Sequence, residues 1–247
     1  MLSALQNKFF LINIAVMAVL GWVVYSLFLG PGADCDPAQI DYVGASVNRL
    51  QCANEIIPVA DFTNANLSGA DLQRTRIGDP ANNTFAVFTN ANLSGANLVE
   101  ANIVGGGFVD AKLSKINAIR SDMRRGDFTD ASLSNATLIQ STFTDSKLVH
   151  ADLSNAKMDY STFNRTSLIE ADLSGAKLKF ADLREANLTG ADLSGTTMIG
   201  TDLRGADLRG ARISGTFRDV IFDANTRFPE GFDPSSPPSG SRTLLNG

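Results

Sequence analysis

The sequence predicts a β-solenoid, in which the chain winds around its own apolar centre as stacked four-sided coils. Three observations predict this fold: an apolar residue recurs at every fifth position, a small residue stands two positions before it, and residues twenty positions apart match. The repeat takes up most of the 247 residues and leaves no room for another sizeable core. We therefore expect one elongated domain.

The five-residue period is clearest in the stretch ADLREANLTGADLSG, which has leucine at 183, 188 and 193. Five helical steps turn a side chain by about 500°, so these leucines would cover every side of an α-helix. Five strand steps are an odd number, so the leucines would alternate between the two sides of a flat strand. They can be buried together only if the chain turns a corner at each repeat.

The repeat extends over about residues 60–215. Every fifth position from Phe88 to Ile213 is Leu, Phe, Ile or Met, with the exception of Ala118. The residue two positions earlier is Ala, Gly, Ser or Thr throughout, except for Ile116, which fits a narrow interior. Four further repeats precede this run, centred on Phe62, Leu67, Leu72 and Ile77.

Columns of like residues indicate that four repeats make one coil. The residue after the apolar centre is serine at 94, 114, 134, 154, 174, 194 and 214. Phenylalanine forms a second column at 88, 108 and 128, and Phe143 is predicted to stack on Phe163. The early repeats join these columns if Phe62 stacks on Phe88, one coil plus six residues later. The extra residues are expected to loop out in GDPANNTF, residues 78–85, which gives about seven coils in all.

The A(D/N)LXX pattern resembles the pentapeptide repeat family. The resemblance implies a right-handed quadrilateral β-helix in which the apolar centre and the small residue before it face inward. It also brings an alternative function, since soluble members that mimic DNA bind or inhibit DNA gyrase. Such a mimic is expected to be strongly acidic, whereas residues 60–215 carry 16 Lys and Arg against 18 Asp and Glu. No basic tract is present either, so we predict no nucleic-acid partner.

An apolar segment at residues 9–30 predicts a transmembrane helix. Its 22 residues carry no charge, which suffices to cross a hydrocarbon core of about 30 Å. A cleaved signal peptide is the alternative, but its apolar part is usually about 7–15 residues long. Lys8 precedes the segment and three aspartates follow it, so residues 1–8 are expected in the cytoplasm. The repeat domain would then lie in the periplasm or thylakoid lumen.

Both ends of the solenoid are expected to be covered. Residues 31–59 are predicted to be a linker and cap with a short helix, because Ile40, Val43, Val47 and Leu50 have helical spacing. Residues 216–234 keep four phenylalanines and are predicted to fold over the last coil, and residues 235–247 to form a flexible tail. Cys35 and Cys52 either form a disulfide or stay as two free thiols. An extracytoplasmic compartment favours the disulfide, whereas a straight helix between the two cysteines would hold them too far apart to form it.

No enzyme, metal site, cofactor or small-molecule substrate is predicted. His150 is the only histidine and stands at an outward position, and a convex solenoid offers no cleft in which catalytic groups converge. The many Asp and Asn residues follow the repeat and are spread along the surface, so surface solvation explains them.

One outward face is predicted to dock a partner. Apolar, aromatic and arginine residues collect there, as they do in interface cores. We call this set the docking face: Val99, Ile119, Arg120, Ile139, Gln140, Tyr160 and Phe180. Arg124 and Arg125 stand around the next corner and would add charge. The alternative is that these side chains lie flat and only shield the backbone.

The resulting functional hypothesis is a non-catalytic, membrane-anchored scaffold or accessory subunit whose solenoid binds a membrane protein complex. Members of the family with an N-terminal span are similar to this chain and occur in cyanobacteria, so a photosystem is one candidate partner. The alternative is a structural spacer without a specific ligand.

Overall fold

The computed structural model describes residues 42–47, 49–57, 60–234 and 244–245. These residues wind into a four-sided β-helix, which we call the rod, and none of them lies in an α-helix. The rod has nine coils, whose first buried apolar residues are Tyr42, Phe62, Phe88, Phe108, Phe128, Leu148, Leu168, Leu188 and Leu208.

Each five-residue unit is one inward residue followed by a tight turn. Leu93 is fully buried, and its carbonyl oxygen accepts a 2.9 Å hydrogen bond from the Ala96 N–H. The turn in between has Gly95 at φ +69°, as the third residue of a type II turn requires. Asn92 closes the turn from the other side, because its Oδ1 accepts from the Ser94 N–H at 3.1 Å. The ADLXX and ANLXX motifs thus encode a corner.

Successive coils are joined by parallel bridges between residues twenty positions apart. Asn92 pairs with Lys112, and Lys112 pairs with Ser132. The step is 26 residues from Asp61 to Val87, as predicted, because residues 78–85 loop out. That loop contains a single turn of 3-10 helix, Pro80–Asn82.

Extended strands are few because every fifth residue begins a corner. The structure has β1 (Ile56–Ile57), β2 (Arg76–Ile77), β3 (Asp192–Ile199), β4 (Arg212–Arg218), β5 (Ile221–Phe222) and β6 (Leu244–Leu245). They form three parallel pairs, β1 with β2, β3 with β4, and β5 with β6. The remaining contacts between coils are isolated bridges.

The interior of the rod is filled by columns of apolar side chains. One column, which we call the core stack, consists of Tyr42, Phe62, Phe88, Phe108 and Phe128, with ring centroids 4.6–4.9 Å apart. Phe143 and Phe163 stack at 4.8 Å, as predicted. Every buried side-chain nitrogen and oxygen of the described residues has a hydrogen-bond partner. The hydroxyl of Ser121, for instance, donates to the carbonyl of Ala118.

The chain before residue 60 differs from the prediction, because the described residues 42–47 and 49–57 continue the coils where a capping helix was expected. The Leu67 column continues downward to Val47, and Ser46 pairs with Asn66. Val47 is the apolar centre of one repeat, and Leu50 holds the inward position two residues before the next centre. The two positions are three residues apart, and both side chains are buried. That spacing also occurs on one side of a helix, which is why the sequence pattern suggested one. Residues 31–41 lie outside the described residues.

The C-terminal end also differs in part. The register between β3 and β4 slips by one residue between Leu193 and Thr196, so Phe217 and Phe222 point inward and continue the coil past residue 215. Phe232 then packs against Phe217 with ring centroids 5.5 Å apart, in the segment where a cap was expected. The predicted flexible tail is not unstructured throughout, because β6 pairs with β5.

The predicted transmembrane segment, residues 9–30, lies outside the described residues. Within the described ranges, no helix is long and apolar enough to span a bilayer. Cys52 is buried and disulfide-bonded. Cys35 is not among the described residues, so the pairing of Cys35 with Cys52 stays a prediction.

Candidate docking surface

The docking face divides into an ion-paired half and an aromatic half. Its most exposed column is the third residue of each turn, which reads Arg74, Glu100, Arg120, Gln140, Tyr160, Phe180 and Gly200 from coil to coil. The backbone of every residue in this column has a positive φ. In all of them except Gly200, which has no side chain, this φ directs the side chain outward from the corner. The change from charged to aromatic side chains comes at Gln140.

In the ion-paired half, two arginines share one carboxylate. Glu100 lies between two arginines, at 2.8 Å from Arg74 Nε and 2.7 Å from Arg120 Nη2. The hydrogen bond from Arg74, followed by the charge of Arg120, lowers the pKa of Glu100. Arg120, which was predicted to contact a partner, is therefore already engaged within the rod.

The aromatic half consists of Tyr160 and Phe180, which we call the surface stack. Their ring centroids are 5.2 Å apart with 20° between the planes, and their exposed fractions are 57% and 54%. The Phe180 ring lies over Gly200, where a Cβ atom would come within 2.6 Å of Phe180 Cδ1. The rings thus form a flat apolar surface along the rod.

The aliphatic residues of the docking face contribute less exposed surface. Val99, Ile119 and Ile139 are half-buried beside the corners. Their burial is compatible with the alternative that they lie flat against the corners. That alternative does not fit Tyr160 and Phe180, more than half of which faces solvent.

Three lysines lie on the same face of the rod as the surface stack, and sequence analysis did not single them out. Lys157, Lys177 and Lys179 are exposed, and Lys157 pairs with Lys177 through a parallel bridge. We call them the lysine cluster. No carboxylate of the described residues lies within 4.0 Å of their side-chain nitrogens. The available signal was lysine at 157 and 177, where the repeat usually has Asp, Asn, Ser or Thr.

Arg124 and the arginines that follow it in the same column are ion-paired, in contrast to the lysine cluster. Arg125 makes no ion pair with the described residues. Arg124 was predicted to add charge to the docking face, but its Nη2 lies 2.6 Å from Asp122 Oδ2. Arg184 and Arg204 are paired in the same way, with Asp182 at 2.7 Å and Asp202 at 2.6 Å. Their charges are thereby largely neutralised.

A shallow depression beside Arg184 and Arg204 is also lined by ion-paired arginines. It has a volume of about 420 Å³ and is lined in part by Arg184, Arg204 and Asp223. Because its arginines are paired with aspartates, it does not present free positive charge to an anion. We see no binding chemistry in it beyond these ion pairs.

His150 has an outward position between two carboxylates. Its Nδ1 lies 3.2 Å from Asp130 Oδ1, and its Nε2 lies 3.5 Å from Glu170 Oε2. The three residues stand in one exposed column. Among the described residues, no group of three His, Cys, Asp or Glu side chains has the arrangement of a metal site.

Comparison with known proteins identifies the family. Models of the pentapeptide repeat family match eight copies of the repeat at residues 60–78, 82–106 and 176–215, and a pentapeptide repeat region at residues 120–193. Together the two models cover more than half of the chain. The chain belongs to the pentapeptide repeat family. No curated protein matches it.

Several solved structures of the family are similar to this chain. HetL, involved in heterocyst differentiation regulation in the cyanobacterium Nostoc sp. strain PCC 7120, is 20% identical, with 85% of this chain and 95% of HetL covered and a TM-score of 0.32. A trypsin-treated form of QnrB1, a plasmid-mediated fluoroquinolone resistance protein, is 18% identical, with 84% and 90% covered and a TM-score of 0.44.

Another pentapeptide repeat protein from Nostoc PCC 7120 is 34% identical, with 48% of this chain and 84% of that chain covered and a TM-score of 0.27. All three TM-scores are below 0.5. These structures therefore add no argument about the partner of this chain.

Proposed function

We propose that this pentapeptide repeat protein is a non-catalytic scaffold that binds another protein through the aromatic half of its docking face. The observation that carries the proposal is the surface stack of Tyr160 and Phe180, two exposed rings on a rod whose other large apolar side chains are mostly buried. Exposed aromatic groups are enriched at protein interfaces because they bury a large area at little cost in conformational entropy.

The finer part of the proposal is that the scaffold is attached to a membrane. It rests on the uncharged segment at residues 9–30 and on the charges that flank it. The rod would stand in the periplasm or thylakoid lumen, and its partner would be a membrane protein complex, with a photosystem as one candidate. A spacer without a ligand would need no exposed surface stack.

The docking surface can be tested with a double variant, Tyr160→Ser with Phe180→Ser. The variant and the unchanged protein are purified in mild detergent from native membranes, and the proteins that accompany each are compared. We expect the fold to persist in the variant and its partner to be lost. The matched control, Asn135→Ser with Asn155→Ser, changes two exposed residues at the same turn position on the face that carries the serine column, which we call the serine face, and should keep the partner. An unchanged set of accompanying proteins would eliminate the docking face.

The orientation can be tested with a membrane-impermeant maleimide on intact spheroplasts. Ser134→Cys places a thiol on the half-buried serine column, where Ser114 Oγ and Ser134 Oγ lie 3.1 Å apart. A periplasmic rod is labelled in intact spheroplasts, a lumenal rod only once the thylakoid membranes are also opened, and the unchanged chain in neither case. Labelling after lysis while thylakoid vesicles are still sealed would place the rod in the cytoplasm and return cytoplasmic partners to consideration.

A further inference from the structure

We infer that the partner contributes an acidic segment that also carries apolar side chains, and that the lysine cluster and the surface stack bind this segment together. The inference rests on the proposed function, since it names the chemistry of the partner at the same face. Three features of the rod support it: the lysines have no carboxylate nearby, two of them replace the Asp or Asn that accepts a hydrogen bond at the corner, and the two rings lie flat on the rod.

The charge of the lysine cluster is unmatched, in contrast to most of the surface around it. Lys157 and Lys177 occupy the same position in successive coils, about 4.8 Å apart along the rod. Like charges that face each other across paired strands are destabilising. At Lys147 and Asp127 the equivalent contact joins opposite charges, 3.3 Å apart. Aspartates also pair with each other at this position, as Asp182 does with Asp202, but Arg184 and Arg204 lie close to those carboxylates. The cluster therefore lacks the counter-charge that an acidic partner would supply.

The two stacked lysines also replace a group that stabilises the corner. At this position in the repeat an aspartate or asparagine accepts a hydrogen bond from the N–H two residues later, as Asp172 does from Ser174 at 2.8 Å. Lysine has no acceptor atom in its side chain and cannot make this bond. At Lys177, the N–H of Lys179 instead bonds to Asp159 Oδ1 of the preceding coil at 3.0 Å. Lysine at these positions therefore supplies no acceptor to its own corner.

The rings favour a protein segment over a bilayer as the occupant. A membrane-binding aromatic group inserts into the lipid interface, for which it has to project from the surface. Phe180 instead lies down on the rod over Gly200, and Tyr160 lies on Phe180. Such a flat surface suits the side chains of a partner segment, whose carboxylates would then reach Lys157, Lys177 and Lys179.

Photo-crosslinking tests the inference on the full chain. p-Benzoylphenylalanine replaces Phe180, the protein is irradiated in membranes of the organism that encodes it, and the linked segment is identified by mass spectrometry. The control carries the same group in place of Asn155 on the serine face. We expect Phe180 to link to an acidic segment with apolar residues, and Asn155 to give no such product.

Charge reversal provides the second arm. Lys157→Glu, Lys177→Glu and Lys179→Glu together should lower the yield of that product at least about tenfold, because three charge pairs become repulsive. Lys112→Glu with Lys115→Glu changes two exposed lysines of the serine face and should leave the yield unchanged.

The outcomes separate the inference from the proposed function. A protein product whose linked segment is neutral or basic, or whose yield survives charge reversal of the cluster, overturns the acidic partner and leaves protein docking intact. Crosslinks to lipid alone show that the face binds the bilayer, which overturns both. A correctly folded chain that gives no product at position 180 also overturns both, whereas an acidic product that is lost on charge reversal establishes both.

Discussion

Two aromatic stacks in this protein have nearly the same geometry and opposite surroundings. In the core stack, Phe88, Phe108 and Phe128 lie parallel with centroids 4.6 Å apart and no exposed surface. In the surface stack, Tyr160 and Phe180 lie 5.2 Å apart and are more than half exposed. The coil repeat imposes the stacking in both places, because it puts equivalent residues one strand spacing apart. Burial then decides whether a stack stabilises the fold or remains available to a partner.

The largest difference between the stacks should appear in stability. Phe108→Ala removes a fully buried ring and is expected to lower the free energy of unfolding by about 3–5 kcal/mol. Phe180→Ala, the matched change on the surface, should cost about 1 kcal/mol or less. Denaturant unfolding of the two variants measures both values. Equal losses would mean that the surface stack is part of the stabilising core.

A smaller effect is expected beneath the surface stack, at Gly200. Alanine there must adopt φ near +65°, and its Cβ would displace the Phe180 ring. Gly195→Ala meets similar backbone strain at φ +69°, but its Cβ has only backbone atoms of Gly175 nearby, at 3.8–3.9 Å. We expect Gly200→Ala to cost about 0.5–1 kcal/mol more than Gly195→Ala, the worth of an aromatic contact. The same variant should also weaken co-purification of the partner, and equal costs would show that the ring position does not matter.

The lysines around the surface stack should oppose stability, unlike any residue of the core stack. Lys157→Asn restores an acceptor for the corner and relieves repulsion with Lys177, so unfolding should require roughly 0.5–1 kcal/mol more. Lys112→Asn is the control, because it restores the same acceptor where the neighbours in the column are Asn92 and Ser132. A gain that is no larger at 157 than at 112 would remove the argument from lysine repulsion. Both are read from denaturant unfolding.

The smallest effect is the loss of stability at low pH, to which neither aromatic stack should contribute because neither stack holds a carboxyl group. The side-chain hydrogen bond from Arg209 lowers the pKa of Asp207, and that of Ser194 lowers the pKa of Asp192. A carboxyl group whose pKa is lower in the folded chain stabilises the fold above its unfolded pKa, about 3.9, and loses that contribution as the pH falls through the folded value. The midpoint temperature of thermal unfolding should thus be insensitive to pH between about 5 and 8 and should fall below about pH 4. Asp207→Asn should reduce this acid dependence, and an unchanged profile would exclude the pair as its source.

Much of the rod could be predicted from the sequence because each repeat carries its own corner chemistry. The Asp or Asn before the centre, the centre itself and the Gly or Asn at positive φ are local requirements, and they recur at a fixed step. The 26-residue step across the loop followed from the same logic. The first coil did not, because residues 42–57 have inward spacings that a helix shares, and the slip after Leu193 changes the register by a single residue without a mark in the repeat.

The docking face was predictable only in outline. The columns placed Tyr160, Phe180 and Arg120 on one side of the molecule, in line with the parallel bridges that join Asn117, Thr137, Lys157 and Lys177 from coil to coil. Whether a charge is matched depends on two or three ångströms between side chains on successive coils, and the sequence does not specify those distances. The structure alone showed that Arg120 is held by Glu100 while Lys157, Lys177 and Lys179 are not held by a carboxylate of the described residues.

The sequence by itself determined the coil, its columns and the class of side chain at each outward position, since these follow from a five-residue period repeated four times per coil. Only the tertiary structure decided which of those outward groups are already satisfied. The physical reason is that ion pairing and ring stacking across coils act over a few ångströms between residues about twenty positions apart, where backbone register and side-chain rotamers, rather than residue type, set the distance.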